Sequence, residues 1–389
     1  MNTLLRKAAI AAMSGALIIG TATTASAQDA EAEADEAITC VSTAGADDAF
    51  YDGESASYVY DEKFGPGPAI PRLKTHIPQG AAAWKNWDGN GKDLLLVTSY
   101  QDGEDAYLIG IDPKSGKHIG TVAIAESHVG GVAVSNGWAF VQGRDSGNWD
   151  TIRKYKLSEL KTKMKQGGVP YLKQKGTARN VYGASFLSSY GDYLYAGKFN
   201  DGDRDKMYRY KVGSDGSLET QQAYEVPKKT QGLMVTKDHF IYSTSYGNDN
   251  RSNLYVVDRG ATDIDRDSTW CFRAPSMAEG IAQYDGNAYL VFESGADKYV
   301  QENPRNVIKG MHKAKTAELT SRPTLNCEHS VGNTGGWVEC QGKGTWRVKS
   351  ICSAEPDKYT AWRSQRGGTH RTYAEECTFD IDDVRVEVR

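Results

Sequence analysis

Five times along the chain a glycine opens a short apolar stretch. The stretches are Gln79-Gly80-Ala81-Ala82-Ala83-Trp84, Gly130-Gly131-Val132-Ala133-Val134, Tyr182-Gly183-Ala184-Ser185-Phe186, Gln231-Gly232-Leu233-Met234-Val235 and Glu279-Gly280-Ile281-Ala282-Gln283. From Gly80 through Gly131, Gly183 and Gly232 to Gly280, the glycines lie 51, 52, 49 and 48 residues apart. A turn and a second strand-like run follow each: Leu94 to Tyr100, Trp138 to Gly143, Tyr193 to Phe199, Phe240 to Tyr246, and Ala288 to Ser294. Asn136-Gly137, Gly191-Asp192 and Asp285-Gly286 supply hairpin turn chemistry. A third run alternates apolar and polar, as a half-buried strand does: Ala106 to Ile111, Ile152 to Leu157, Met207 to Val212, and Leu254 to Asp258. A less regular fourth run closes most units, as in His118 to Ala123 and Gln222 to Val226.

Four antiparallel strands in each of five repeats predict an all-β, five-bladed β-propeller, with an open sandwich as the rival. The glycines then mark crowded inner strands, where only a small residue lets backbones approach. Ala56 to Tyr60 is expected either to close the ring as an outer strand or to begin a further blade, so six or seven blades stay open. Leu157, Leu160 and Met164 fall at helical spacing among lysines and predict a short amphipathic helix on the rim, solvated rather than membrane-bound.

The repeat stops near residue 325. Residues 326–389 hold Cys327, Cys340, Cys352 and Cys377 with Trp337, Trp346 and Trp362. They read as a small β module that needs disulfide staples to be stable. The propeller is expected over 40–325.

The first 27 residues carry Arg6 and Lys7, an apolar run and Ala25-Ser26-Ala27, the pattern of a secretory signal. The run is shorter than the roughly 20 apolar residues that span a bilayer, so no transmembrane segment is expected in the mature chain. An acidic, Ala-rich leader over 28–39 is expected to be disordered. Export makes three disulfides the natural state of six cysteines. The expected pairs are Cys40–Cys271, Cys327–Cys340 and Cys352–Cys377. No Cys-x-x-Cys supports zinc.

Composition narrows the functions. The 389 residues carry a net charge of −4, and 39% are hydrophobic. Nucleic acid, which wants a strongly basic face, is not an expected partner. No Gly-x-Ser-x-Gly, His-Glu-x-x-His or phosphate-cradling Gly-rich loop is present.

Candidate chemistry gathers where the repeat brings polar groups to one end of a channel. Gln79, Tyr182, Gln231 and Glu279 precede repeat glycines. Glu126 and His128 lie just upstream of the second, and Arg144 follows its second strand. A carboxylate such as Glu279 near a channel axis can act as general acid or base, or ligate calcium; His128 is expected to pair with it or with Glu126. A second calcium candidate is Asp88, Asn90 and Asp93 within Trp87 to Leu94, although a polar hairpin turn explains that segment equally. Calcium is therefore a candidate cofactor.

Two consecutive units carry Thr230-Gln231-Gly232-Leu233, Tyr242 to Gly247, Ser252-Asn253-Leu254, Val257-Asp258 and Glu279-Gly280-Ile281. This stretch resembles plant-type glutaminyl cyclases, which are five-bladed propellers. The resemblance implies that Glu279 faces the channel as acid/base. It covers about 50 residues; the tryptophan-rich blade starts of that family and its lack of a C-terminal module are not matched. More broadly, signal, composition and blade style resemble secreted actinobacterial propeller proteins. The leading expectation is a secreted, extracellular propeller that binds a peptide, glycan or protein at its channel mouth, with the tryptophan-bearing tail contributing. The alternative is a propeller enzyme, a hydrolase or glutaminyl-peptide cyclotransferase, using Glu279.

Overall fold

The computed structural model describes residues 38–45, 50–145 and 147–389. The expected signal peptide and nearly all of the acidic leader lie outside them. The described chain is built mainly of antiparallel strands, and five of its sheets have four strands each. The first comprises Ile77–Trp84, Leu94–Tyr100, Ala106–Ile111 and His118–Ile124. The second comprises Val132–Ser135, Trp138–Asp145, Asn148–Lys156 and Arg179–Asn180. The third comprises Phe186–Tyr190, Tyr193–Gly197, Asp205–Val212 and Leu218–Val226. The fourth comprises Thr230–Val235, His239–Thr244, Ser252–Asp258 and Thr269–Ala274. In each, sequence order equals spatial order.

The fifth sheet breaks that rule. Ala278–Tyr284, Asn287–Phe292 and Gly310–Lys315 are followed in space by Phe64–Ala69, from the other end of the chain. An N-terminal strand does close this sheet, but it is not Ala56 to Tyr60. Ser57 caps a helical turn, Tyr58–Lys63, with its Oγ accepting from Tyr60 N at 3.2 Å. The closing strand is Phe-Gly-Pro-Gly-Pro-Ala, tolerated because proline's missing N–H does no harm on an outer edge.

The innermost strands follow one another around a central cavity of about 710 Å³ lined by all five sheets, a propeller-like arrangement. Close approach explains the glycines. A methyl on Gly280 would lie 2.6 Å from both Gly80 Cα and Ala81 N, and one on Gly80 would lie 3.0 Å from Gly130 O and Val132 N. Gly183 differs: a methyl there would strike Lys198, just past the second strand of the third sheet. Apolar clusters fill the spaces between neighbouring sheets, for example Leu96, Leu108, Val132 and Val141 between the first and second, and Phe186, Tyr195, Leu233 and Phe240 between the third and fourth. The amphipathic helix is Leu157–Lys165. Its buried Leu160 and Met164 pack on the first sheet, with Met164 against Gly110 and Gly120.

The C-terminal sheet contains Leu325–Val331, Gly336–Cys352, Lys358–Tyr359, Arg363–Tyr373 and Ile381–Val388. It has no core of its own. Trp346, Val348 and Val386 join one apolar cluster with Phe272 and Phe292 of the fourth and fifth sheets. The three disulfides are Cys40–Cys271, Cys327–Cys340 and Cys352–Cys377. No helix among the described residues is long and apolar enough to cross a membrane.

Candidate functional site

In three sheets the inner strand does not pair evenly with its neighbour. Register breaks fall between Pro78 and Ala81, between Thr230 and Gly232, and between Ala278 and Ile281. These intervals contain Gln79, Gln231 and Glu279. An extra residue in one strand breaks the alternation of faces and re-aims a side chain. Second-strand side chains lock these turns. Thr98 Oγ1 accepts from Gly80 N at 2.8 Å and donates to Val129 O at 2.7 Å, and Ser243 Oγ donates to Glu279 O. Val129, Lys229 and Met277, next to the inner-strand starts, have φ of 49°, 63° and 61°. For a β-branched residue such as Val129 that conformation is strained, and strain of this kind gathers at functional sites.

Glu279 is 1% exposed. Among the described residues nothing hydrogen-bonds its carboxyl group; the strongest influences on it are burial and a second carboxyl, Glu293. Glu293 follows the second strand of the same sheet, and its Oε1 accepts from Gln79 Nε2. Burial, then the charge of Glu293, holds Glu279 well above the usual carboxylate range. Burial raises Glu293 to about 7, opposed by the Gln79 hydrogen bond and the Lys298 ammonium. The pair therefore retains protons into the neutral range, and each group makes ionisation of the other harder.

An aromatic row runs from this pair across the first two sheets. Tyr100 and Tyr299 interact with each other, and burial followed by the charge of Glu293 raises both phenols. Tyr100 stacks on His128, with ring centres 4.5 Å apart, and His128 tilts against Trp149 at 4.7 Å. The Arg144 guanidinium covers Trp149 at 4.6 Å and pairs with Glu126 at 3.3 Å. Beside the row opens a cavity of about 300 Å³ whose walls include His76, Asp102 and Lys298.

The structure thus joins Gln79 to the Glu279–Glu293 pair and links His128, Arg144 and Glu126 through Tyr100 and Trp149. His128 does not hydrogen-bond Glu279 or Glu126 as expected. Its partners are two rings, and burial lowers its proton affinity. Tyr182 stands apart: its hydroxyl donates to Asp205 Oδ1 at 2.7 Å on the third sheet. Gln231 lies in the fourth-sheet bulge. The large central cavity is lined further along the inner strands, by residues such as Ala81, Val132, Ser188 and Ala282, and not by the carboxyl pair.

Asp88 and Asp93 shape a turn. Asp88 Oδ1 accepts from Asn90 N at 2.8 Å and Lys92 N at 3.1 Å. Asp93 accepts from Asn86 N at 2.7 Å and from the Tyr284 hydroxyl at 3.0 Å. Asn90 contributes its backbone N–H to this turn. The one described grouping of three metal-ligand side chains is Cys352, Cys377 and Glu355; its sulfurs form a disulfide.

Glu293, Tyr100, Tyr299 and Trp149 escaped sequence reasoning. Antiparallel pairing was the available signal. Tyr100 lies opposite Ile77 and Phe292 opposite Ala278, so the ends of second strands stand beside the marked starts of first strands.

The class defined so far is an all-β protein with propeller-like sheets and a carboxyl pair at one end of its inner strands. No protein-family model matches the chain, and no curated protein matches it. Solved structures similar to it include hydrazine synthase of Kuenenia stuttgartiensis, at 11% identity over 57% of this chain and 57% of that chain, with a TM-score of 0.34. A quinoprotein alcohol dehydrogenase-like protein of Bacteroides thetaiotaomicron is 13% identical over 81% of this chain and 69% of that one, with a TM-score of 0.29. A chain of a nidogen/laminin complex is 10% identical over 60% and 85%, with a TM-score of 0.34. Likeness this weak says nothing about activity.

Proposed function

We propose that the protein is a secreted, five-bladed β-propeller that binds a peptide, glycan or protein partner at the channel mouth, and that the ligand presents a cationic group to Glu279 and Glu293. The observation carrying this is the Glu279 carboxyl group, buried and without a hydrogen-bond donor among the described residues, beside a second acid. An ammonium donor from a ligand would bind the two acids through charge-assisted hydrogen bonds. Tyr100, His128 and Trp149 would flank the ligand with ring surface.

The test is a thermal-shift panel of short peptides with free or acetylated N-termini, and of amino sugars with their N-acetyl forms. A ligand binding only the folded state raises Tm. Amine-bearing members should raise it in wild type and not in Glu279→Gln. An equal shift from acetylated members, a shift retained in Glu279→Gln, or no shift at all overturns the proposal.

A second function, acid/base catalysis of the glutaminyl-peptide cyclotransferase or hydrolase type, is favoured by one observation. Glu293, raised to about 7, could give or take a proton at neutral pH. Turnover of N-terminal-Gln peptides that disappears in Glu279→Gln while binding persists would establish it. Absence of turnover in wild type would dismiss it.

A further inference from the structure

The C-terminal sheet turns one face to the propeller and leaves the other open. Val338, Cys340, Trp346 and Val348 alternate inward, all fully buried. By the same alternation Trp337, Glu339, Gln341, Lys343, Thr345 and Arg347 face outward. Opposite them in register stand Tyr373, Arg371, Thr369, Arg366 and Ser364. Arg363–Tyr373 pairs with one neighbour only, so its other edge is free among the described residues. Residues 366–371 are all exposed.

This strip is cationic within an anionic protein. Its outward row carries Lys343, Arg347, Arg366 and Arg371 against the carboxylate of Glu339, whereas the chain as a whole is −4. Guanidinium groups sit over aromatic rings at both ends. Arg371 lies 3.8 Å above Trp337, and Arg347 lies 4.4 Å from Tyr359 and 4.7 Å from Trp362. Some of these charges are compensated, Arg371 by Glu339 and Arg347 by Glu387. Between the two clusters, Lys343 and Arg366 have no carboxylate within ion-pair distance among the described residues. From Glu339 to Arg347 the strip runs about 26 Å at the usual strand rise.

We infer that this open sheet face binds an acidic polysaccharide, a site separate from the channel mouth. A linear, regularly charged polymer matches a linear row of cations. Guanidinium forks fixed against rings meet carboxylate or sulfate groups in two-point fashion.

The experiment measures binding of the full-length mature protein to polygalacturonate and to dextran sulfate. Neutral dextran, duplex DNA and anionic phospholipid vesicles serve for comparison, each at low and at physiological salt. Both acidic polysaccharides should bind, with affinity falling as salt rises, and neutral dextran should not. Lys343→Ala/Arg366→Ala should weaken binding about tenfold or more and lower the salt slope by about two, one for each cation removed. Both positions are exposed, so Tm should not move; Lys343→Gln/Arg366→Gln is the second variant should the double alanine substitution disturb folding. No binding to either acidic polysaccharide, unchanged affinity in the variants, or tighter binding of DNA or vesicles would each overturn the inference.

Discussion

Glu293→Gln is the most informative single change. The amide keeps an oxygen to accept from Gln79 Nε2 and removes the charge. The sign follows from proton binding. Glu293 is raised from 4.5 to about 7, so between those values the folded chain keeps a proton that the unfolded chain has lost. Unfolding then releases a proton, and wild-type stability falls as pH rises through that window. Below about pH 4.5 both states are protonated and this contribution vanishes. Above about 7 it is complete. At 1.36 kcal/mol for each tenfold change in proton affinity the full contribution is about 3 kcal/mol, or about 4 °C in Tm for a chain of this size. Melting curves of both proteins from pH 4 to 8 provide the assay. Glu293→Gln should match wild type at the acid end and exceed it by several degrees at pH 8. A variant no more stable than wild type at pH 8, or a difference independent of pH, would refute the picture of two acids held unwillingly together.

Gly280→Ala should cost about 1–3 kcal/mol, because its methyl would meet two backbone atoms at 2.6 Å, and a lowered Tm would report it. Buried His312, lowered to about 3 by burial and hydrogen-bonded to the Tyr60 hydroxyl at 2.6 Å, binds a proton more weakly folded than unfolded. Wild-type stability should therefore be lost as pH falls below about 6.5, and the slope of Tm against pH should be shallower there in His312→Gln. Cys40–Cys271 spans 231 residues. Cys40→Ser/Cys271→Ser should lose about 2–5 kcal/mol, read as a lower Tm in non-reducing buffer.

The legible parts of the fold were those that sterics writes into residue identity. Gly80 and Gly280 are glycines because their backbones nearly touch, and that contact recurs with the repeat. Gly183 imitates the mark for another reason: it is crowded by Lys198, just past the second strand of the third sheet, and the inner strand begins only at Phe186. The strand Phe64–Ala69 was hidden by its two prolines, which read as loop until its place on an outer edge is known. Gly310–Lys315 was hidden by the insertion before it, which includes the short helix Asp297–Val300.

The same physics divides the site. Gln79 and Glu279 could be read because each precedes a marked glycine. Glu293 and Tyr100 could not, because the far ends of second strands carry no repeating constraint. Strand pairing converts the readable half into the whole: once the first hairpin of a sheet is drawn antiparallel, the residue ending its second strand stands beside the one starting its first. The bulge then explains why these positions bear chemistry. Where glycine lets neighbouring strands close up, the register slips, and the slip re-aims a polar side chain that even alternation would have pointed elsewhere. Close packing and the candidate site are thus two consequences of one local irregularity. Restoring an even register should therefore disturb both together, whereas Glu279→Gln should alter the charge of the site and leave the close approach of the strands in place.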